Sequence, residues 1–281
     1  MSKVKMIGLD LDGTLLNSRK ELTKYTKNVL TRAIEAGVTV LVATGRPVTG
    51  IPEELRNFPG MRYAVTANGG RILDLQEDKI LYEGLVPYEE AVHIVENFEE
   101  YDTLREIYFD GRGYAEADEM ERIEKYIPDK PMADYIRSTR QVIPDLWEKI
   151  REMDGHGMDK VHGIFADMEE MREAADRISK CTGHLAVSSS LGRNLEINAQ
   201  GVNKGAGLLR LGEMLGILQE EIMVCGDGSN DLEMIRMAGV GVAMANAADE
   251  VKKAADYITE SNEEDGVAKA IEKIVFDRGI P

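Results

Sequence analysis

Cysteine is nearly absent from this 281-residue chain: Cys181 and Cys225 are the only two, too few for a disulfide framework. A chain of this length buries a large core without covalent staples. No run of about 18 apolar residues occurs, which excludes a membrane-spanning helix. The apolar part of the opening MSKVKMIGLDLDGT is too short for a secretory signal, so the expected location is cytoplasmic. Positive charge is scarce: 34 Lys and Arg face 51 Asp and Glu, a formal net charge of −17. Such a surface repels phosphate backbones, and nucleic acid is not an expected partner. Repeats and low-complexity tracts are absent. What remains is a 43% hydrophobic composition with few aromatics, that of an ordinary folded protein. At about 150 residues per domain, the length corresponds to about two domains.

Short apolar runs broken by polar loops set the organisation. Val4–Leu9 stops at Asp10-Leu11-Asp12-Gly13, Val38–Ala43 at Thr44-Gly45-Arg46-Pro47, and Tyr63–Ala67 at Asn68-Gly69-Gly70. Each reads as a buried strand ending in a loop. Between the first two, Val29, Leu30, Ala33 and Ile34 recur at helical spacing, with Gly37 in the stop position. Arg71–Glu83 reads as a hairpin turning at Glu77-Asp78. Near the other end, Leu195–Ile197 and Ile222–Cys225 read as strands, the latter ending in Gly226-Asp227-Gly228-Ser229-Asn230-Asp231, and Val240–Met244 as another. Lys204–Leu215 and Leu232–Met237 read as helices. Strands alternating with helices predict βαβ units in an open parallel sheet.

The middle differs in composition. Residues 83–130 hold 15 acidic and 5 basic residues, all four histidines fall between about 90 and 185, and Trp147 is the single tryptophan. Residues 85–191 are therefore expected to form a separate domain inserted into the α/β domain. Their acidity reads as a solvated face. His93, His156, His162 and His184 show no ligand spacing and read as surface or core positions, and Cys225 as a buried small residue.

In an open α/β sheet, ligands bind outside the carboxyl ends of the strands. If the strands are parallel neighbours, four polar loops meet there: Asp10/Asp12, Thr44/Arg46, Asn68/Gly69 and Asp227/Asn230/Asp231. Each loop alone has a plainer reading. Asp10 to Glu21 resembles a calcium loop, but its glycine falls two places early and a strand-like run precedes it. Asp12-Gly13 is also a common turn. Gly226-x-Gly228-x-x-Asp231 puts an acid where a dinucleotide fingerprint needs glycine. Together, though, Asp10, Asp12, Asp227 and Asp231 concentrate up to four negative charges. Two carboxylates about 4 Å apart repel by about 4 kcal/mol at an effective dielectric near 20, and Lys204 alone cannot balance four. A hard divalent cation such as Mg²⁺ resolves the deficit through oxygen ligands. Acids, a cation and N–H-rich glycine loops describe a site for a phosphoryl group.

These segments resemble the haloacid dehalogenase superfamily of phosphatases, in particular its Cof-type branch with a large cap (class IIB). DLDGTLL at 10–16, ATGR at 43–46, NKG at 203–205 and GDGSND at 226–231 match the four motifs in order and spacing, and TANGG at 66–70 matches a further segment of that branch. The resemblance implies an α/β, Rossmann-like parallel-sheet core over 1–84 and 192–281, with an inserted α+β cap over 85–191 that sets specificity. It implies Asp10 as nucleophile, attacking phosphorus to form an aspartyl-phosphate. Asp12 becomes the acid for the leaving oxygen and then the base for water, and Lys204 balances charge. Leu11, Thr44, Gly45, Arg46, Asn68, Gly69, Lys204 and Asn230 are the expected phosphate or substrate contacts. For Arg46, a role toward phosphate, substrate, the cap or its own loop stays open. Mg²⁺ is expected on Asp10, the Asp12 carbonyl and Asp227, with Asp231 auxiliary and Gly13-Thr14 shaping the loop.

The implied reaction is Mg²⁺-dependent hydrolysis of small phosphorylated metabolites such as sugar phosphates, pyridoxal phosphate or flavin mononucleotide. An acid at Asp12 favours turnover over a stable phospho-enzyme. A phosphomutase of the same fold and a non-catalytic phospho-aspartate switch are the alternatives. A monomer suffices for this reading. Arg137, Lys160 and Arg193 are the basic candidates for facing the leaving group.

Overall fold

Fourteen strands form in a computed structural model that describes residues 4–181, 185–190 and 192–277. The first eight are β1 (Met6–Leu9), β2 (Thr39–Ala43), β3 (Tyr63–Thr66), β4 (Arg71–Asp74), β5 (Lys79–Glu83), β6 (Thr103–Phe109), β7 (Arg112–Glu116) and β8 (Arg140–Ile143). Then come β9 (Lys160–Phe165), β10 (Leu185–Ser188), β11 (Asn194–Ala199), β12 (Ile222–Gly226), β13 (Val240–Ala243) and β14 (Tyr257–Ile258). The chain forms two compact units. One holds residues 1–45, 52–82 and 203–281; the other holds 46–51 and 83–202. His184 lies outside the described residues. Among the described residues no helix is long and apolar enough to cross a membrane.

The first unit is built on an eight-stranded sheet in the order β14-β13-β12-β1-β2-β3-β4-β5. β1 pairs in parallel with both β12 and β2, β2 with β3, and β12 with β13. Only the hairpin side departs, β4 running antiparallel to β3. All four residues of β1 are buried, as a central strand covered on both faces requires. The helix Lys24–Glu35 packs Val29, Leu30 and Ala33 inward, and Thr23 caps it by accepting the Thr26 amide at 3.1 Å. The helix Lys204–Leu215 starts at Asn203, whose side chain accepts the Ala206 amide at 2.9 Å, and ends at Gly216 with φ 67°.

The second unit has a six-stranded sheet in the order β10-β11-β9-β6-β7-β8, antiparallel except for β7 with β8. The sequence reading places 194–199 with the α/β unit, whereas β11 pairs with β9 and β10 in this sheet, and the division falls after Val202. An isolated apolar run of strand length carries no signal of which sheet it joins, and that is the reason for the difference. Ile107, Val161, Leu195 and Ile197 point to one face and pack with Ala91, Ile94, Val95 and Phe98 of the helix Tyr88–Glu99.

The alternate residues carry a buried polar network. Arg140 donates to Glu106 at 2.7 Å and to the Tyr108 hydroxyl at 2.6 Å. His162 Nδ1 lies 2.6 Å from Glu106, and its Nε2 lies 3.0 Å from the Asn194 amide. Lys160 donates to Glu196 at 2.7 Å. Burial alone would push Glu106 up, but Arg140 and then His162 outweigh it and hold the carboxyl below its usual range. Lys160 and then His162 do the same for Glu196 against its burial. A carboxyl depressed in the folded state stabilises the fold above its unfolded pKa of about 4.3, and that contribution is lost as pH falls through the folded value. Glu106→Gln leaves Arg140 without its counter-charge, and the expected loss is about 3–5 kcal/mol of unfolding free energy. The variant should also show a weaker acid dependence than wild type. Urea denaturation between neutral and acidic pH checks both; an unchanged midpoint would mean the network contributes no net stability.

Candidate active site

The parallel pairing brings the ends of β1, β2, β3 and β12 to one edge of the first unit's sheet. Asp10 follows β1 and Asp227 follows β12, and the Asp10 amide donates to the Cys225 carbonyl at 3.1 Å. Thr44 follows β2, its amide donating to Val65 at 2.9 Å while its carbonyl accepts the Asn68 amide at 3.0 Å. Asn68 sits in a turn after β3 where Ala67, Asn68 and Gly69 all have positive φ, of 49°, 56° and 98°. Gly69 lies against the Asn203 carbonyl, which a Cβ would approach to 2.3 Å, so only glycine permits this contact between the turn and the start of the Lys204 helix.

Lys204 is the centre of the arrangement. Its side chain is fully buried, with Nζ 2.5 Å from Asp10 Oδ1 and 2.6 Å from Asp231 Oδ1. Asp231 Oδ2 accepts the Asp227 and Gly228 amides, each at 2.9 Å. Both oxygens of Asp231 are thus engaged in holding Lys204 and the loop, which suits an auxiliary position better than a direct metal ligand. Asp227 Oδ1 accepts the Thr14 hydroxyl at 2.7 Å, and Asn230 donates to Asn68 at 3.3 Å. Carboxylate oxygens of Asp10, Asp227 and Asp231 all lie within 4.8 Å of one another.

Three carboxylates thus share one ammonium. Burial and then the charge of Asp231 push Asp10 well above the usual carboxylate range, only partly offset by Lys204. The same two causes raise Asp227 to about 6. For Lys204, burial pulls the ammonium down, but Asp10 and Asp231 outweigh it and the pKa is raised. The donor set is all oxygen, closely spaced and short of positive charge, and it fits a hard divalent cation. Asp10, Asp227 and Asp231 are the carboxylates that could hold one.

The remaining sequence-named residues fall as follows. Leu11 is buried at the end of β1, and Gly45 follows Thr44. Asp12 is not one of the three carboxylates that lie within 4.8 Å of one another, though its charge helps raise Asp227, and its side chain pairs with Lys20 at 2.5 Å. Arg46 is grouped with the second unit, where it donates to the Gly50 carbonyl at 2.8 Å and lies 3.9 Å over the Tyr135 ring. Of the other basic candidates, Lys160 is buried against Glu196, Arg137 pairs with Glu124 on the surface, and Arg193 donates to the Ala166 carbonyl at 3.1 Å. His93 is exposed beside Glu96, and the His156 ring meets Phe109 edge-on. Cys225 is buried, and burial pushes its thiol up to about 12. Sequence reasoning missed Lys20 and Asn246, which donates to the Gly13 carbonyl at 2.8 Å. The turn-forming Asn17-Ser18 ahead of Lys20 was the available signal.

The family model of haloacid dehalogenase-like hydrolases matches residues 7–271, and the chain belongs to that family. It is 32% identical over 274 residues to the 5-amino-6-(5-phospho-D-ribitylamino)uracil phosphatase YcsE of Bacillus subtilis, covering 95% of this chain and 94% of that protein. Among solved structures, a haloacid dehalogenase-like hydrolase from Bacteroides thetaiotaomicron is 33% identical, with a TM-score of 0.80 over 97% of this chain and 100% of that one. A subclass IIB sugar phosphatase of the superfamily shares the fold at a TM-score of 0.82 and 24% identity, over 96% of this chain and 98% of that one.

Gly13 ties the motif loop to Asp227. It adopts φ 79°, and a Cβ would fall 2.3 Å from Asp227 Oδ2. Gly13→Ala displaces that carboxylate, and the expected effect is about 10–100-fold weaker divalent-cation binding, the range seen when groups orienting a metal ligand are lost. Titration calorimetry with Mg²⁺ checks this; an unchanged affinity would remove Asp227 from the ligand set.

Proposed function

We propose that this phosphatase hydrolyses small phosphorylated metabolites with Mg²⁺, through an aspartyl-phosphate formed on Asp10. The observation that carries the reading is Asp10 at the end of the central strand, held at 2.5 Å by a buried Lys204 and flanked by Asp227 and Asp231. A carboxylate suits the nucleophile because its ionised form attacks directly; burial and the charge of Asp231 oppose that form, and the Lys204 ammonium together with a bound cation would favour it. Asp10 Oδ attacks phosphorus as the bond to the leaving oxygen breaks, and Asp12 gives that oxygen a proton. Asp12 then takes a proton from the water that cleaves the acyl-phosphate. Thr44, the Leu11 and Gly45 amides and Asn230 hold phosphate oxygens, with Asn68 and Gly69 shaping that side. Mg²⁺, when bound by Asp10, Asp227 and the Asp12 carbonyl, neutralises phosphate charge.

The substrate class draws support from the phosphoribitylamino substrate in the name of the Bacillus subtilis relative. It also draws on the Cof-type resemblance, which suggests sugar phosphates. As the Cof-type resemblance implies, the second unit would serve as the cap domain that sets substrate specificity. Phosphate release from a panel of phosphorylated metabolites, with Mg²⁺ and with chelator, tests the reading. Release should require the metal and fall by at least about 10³-fold in Asp10→Asn, more than 4 kcal/mol of transition-state stabilisation. Isomerised sugar phosphate without free phosphate would make it a mutase instead, and a long-lived phospho-enzyme without turnover would make it a switch.

A further inference from the structure

We propose that Lys20 is a positioning residue that fixes the carboxyl group of Asp12 for proton delivery to the leaving oxygen. The inference rests on the reading of Asp12 as the acid–base residue. Lys20 Nζ lies 2.5 Å from Asp12 Oδ1, with both side chains about three-quarters buried, at 26% and 29% exposure. Both residues belong to the first unit.

An ion pair at a surface is ordinarily worth little, and distance alone would not single this one out. The backbone does. Lys20 has φ 62°, in the left-handed region that glycine tolerates and that Asn and Asp enter with help from short polar side chains. The other described non-glycine residues with positive φ are Ala67, Asn68 and four aspartates; Lys20 alone among them is long and charged. Such a conformation persists only where its surroundings over-determine it, and here they do. The Lys20 amide donates to the Asn17 carbonyl at 2.9 Å, and the Asn17 amide donates to the Glu21 carbonyl at 3.2 Å. Asn17 Oδ1, buried, accepts the Arg19 and Glu21 amides, each at 3.0 Å. The base of the turn is pinned by Asn262, which donates to the Leu16 carbonyl at 3.0 Å, while Leu16 forms a parallel bridge with Asp12. The tight turn sends the Lys20 side chain back to a residue eight positions earlier.

The purpose follows from the rotational freedom of an aspartate. The terminal torsion of a carboxylate is broad and two-fold, so backbone position alone does not aim its oxygens. An ammonium held on Oδ1 by a rigid turn does. In the step served, the bond from Asp10 oxygen to phosphorus forms, the bond from phosphorus to the leaving oxygen breaks with its electron pair, and the Asp12 proton passes to that oxygen. A misaimed carboxyl slows this transfer while the Asp10–Lys204 and Asp231–Lys204 pairs keep their contacts.

Leaving groups that differ in their need for a proton provide the test. Wild type, Lys20→Met, Lys20→Arg and Asp12→Asn are compared on p-nitrophenyl phosphate, whose phenolate leaves readily, and on the sugar phosphate that wild type turns over fastest. Lys20→Met should lower kcat on the sugar phosphate by about 10–100-fold, within the range of general acid catalysis. Its kcat on p-nitrophenyl phosphate should fall by less than about 3-fold, and KM should hold for both. Lys20→Arg should restore most of the loss. Equal losses on both substrates, or none on either, would overturn the role of Lys20. Asp12→Asn separates the two claims: if it shows no dependence on leaving group, the acid role of Asp12 fails; if it does and Lys20→Met does not, only the present inference fails.

Discussion

One buried ammonium surrounded by carboxylates governs the first unit. Lys204 is wholly buried, so its charge is worth far more against Asp10 and Asp231 than it would be in water, and each partner would be costly to leave alone. The fold supplies the means: parallel pairing on both sides of β1 delivers Asp10 and Asp227 to one edge, and the Asn203 cap starts a helix whose first residue is Lys204. The balance is deliberately incomplete. One ammonium against three carboxylates leaves a net negative cluster whose oxygens could hold a divalent cation.

The second unit solves its own burial problem differently. Its sheet places Glu106, Arg140, His162, Lys160 and Glu196 in a network where each charge has a counter-charge at hydrogen-bond distance. That network is close to neutral and internally satisfied, in contrast to the starved cluster around Asp10. The chain thus holds two kinds of buried charge, a network that closes on itself and a cluster in which carboxylates outnumber the ammonium.

Much of the first unit was legible in the sequence because its signals are local. The runs at 4–9, 38–43, 63–67 and 222–225 end in loops within a residue or two of where β1, β2, β3 and β12 end, since a buried parallel strand must be continuously apolar and must stop where polar residues begin. The two-residue β14 carries too little pattern to read, and β11 looks like any short apolar strand, so only its pairing with β9 and β10 shows its membership of the second sheet. The convergence of Asp10, Asp227 and Asp231 was legible from the strand ends, because neighbouring parallel strands gather their carboxyl-end loops at one edge, even though Asp10 and Lys204 are 194 positions apart. Lys20 was missed. Its importance lies in a left-handed backbone conformation that a lysine gives no hint of adopting, and the Arg46 contact with Tyr135 is equally invisible to spacing.

The central claim is that Asp10 itself carries the phosphoryl group during turnover. Rapid acid quench of the Mg²⁺-loaded enzyme with its fastest substrate, followed by peptide mass spectrometry, tests it most directly. The account predicts a transient, base-labile phosphoryl group on the peptide containing Asp10, formed and lost at rates that bracket kcat. Phosphate release at full rate with no label on Asp10 at any quench time would contradict it and point to direct attack by water.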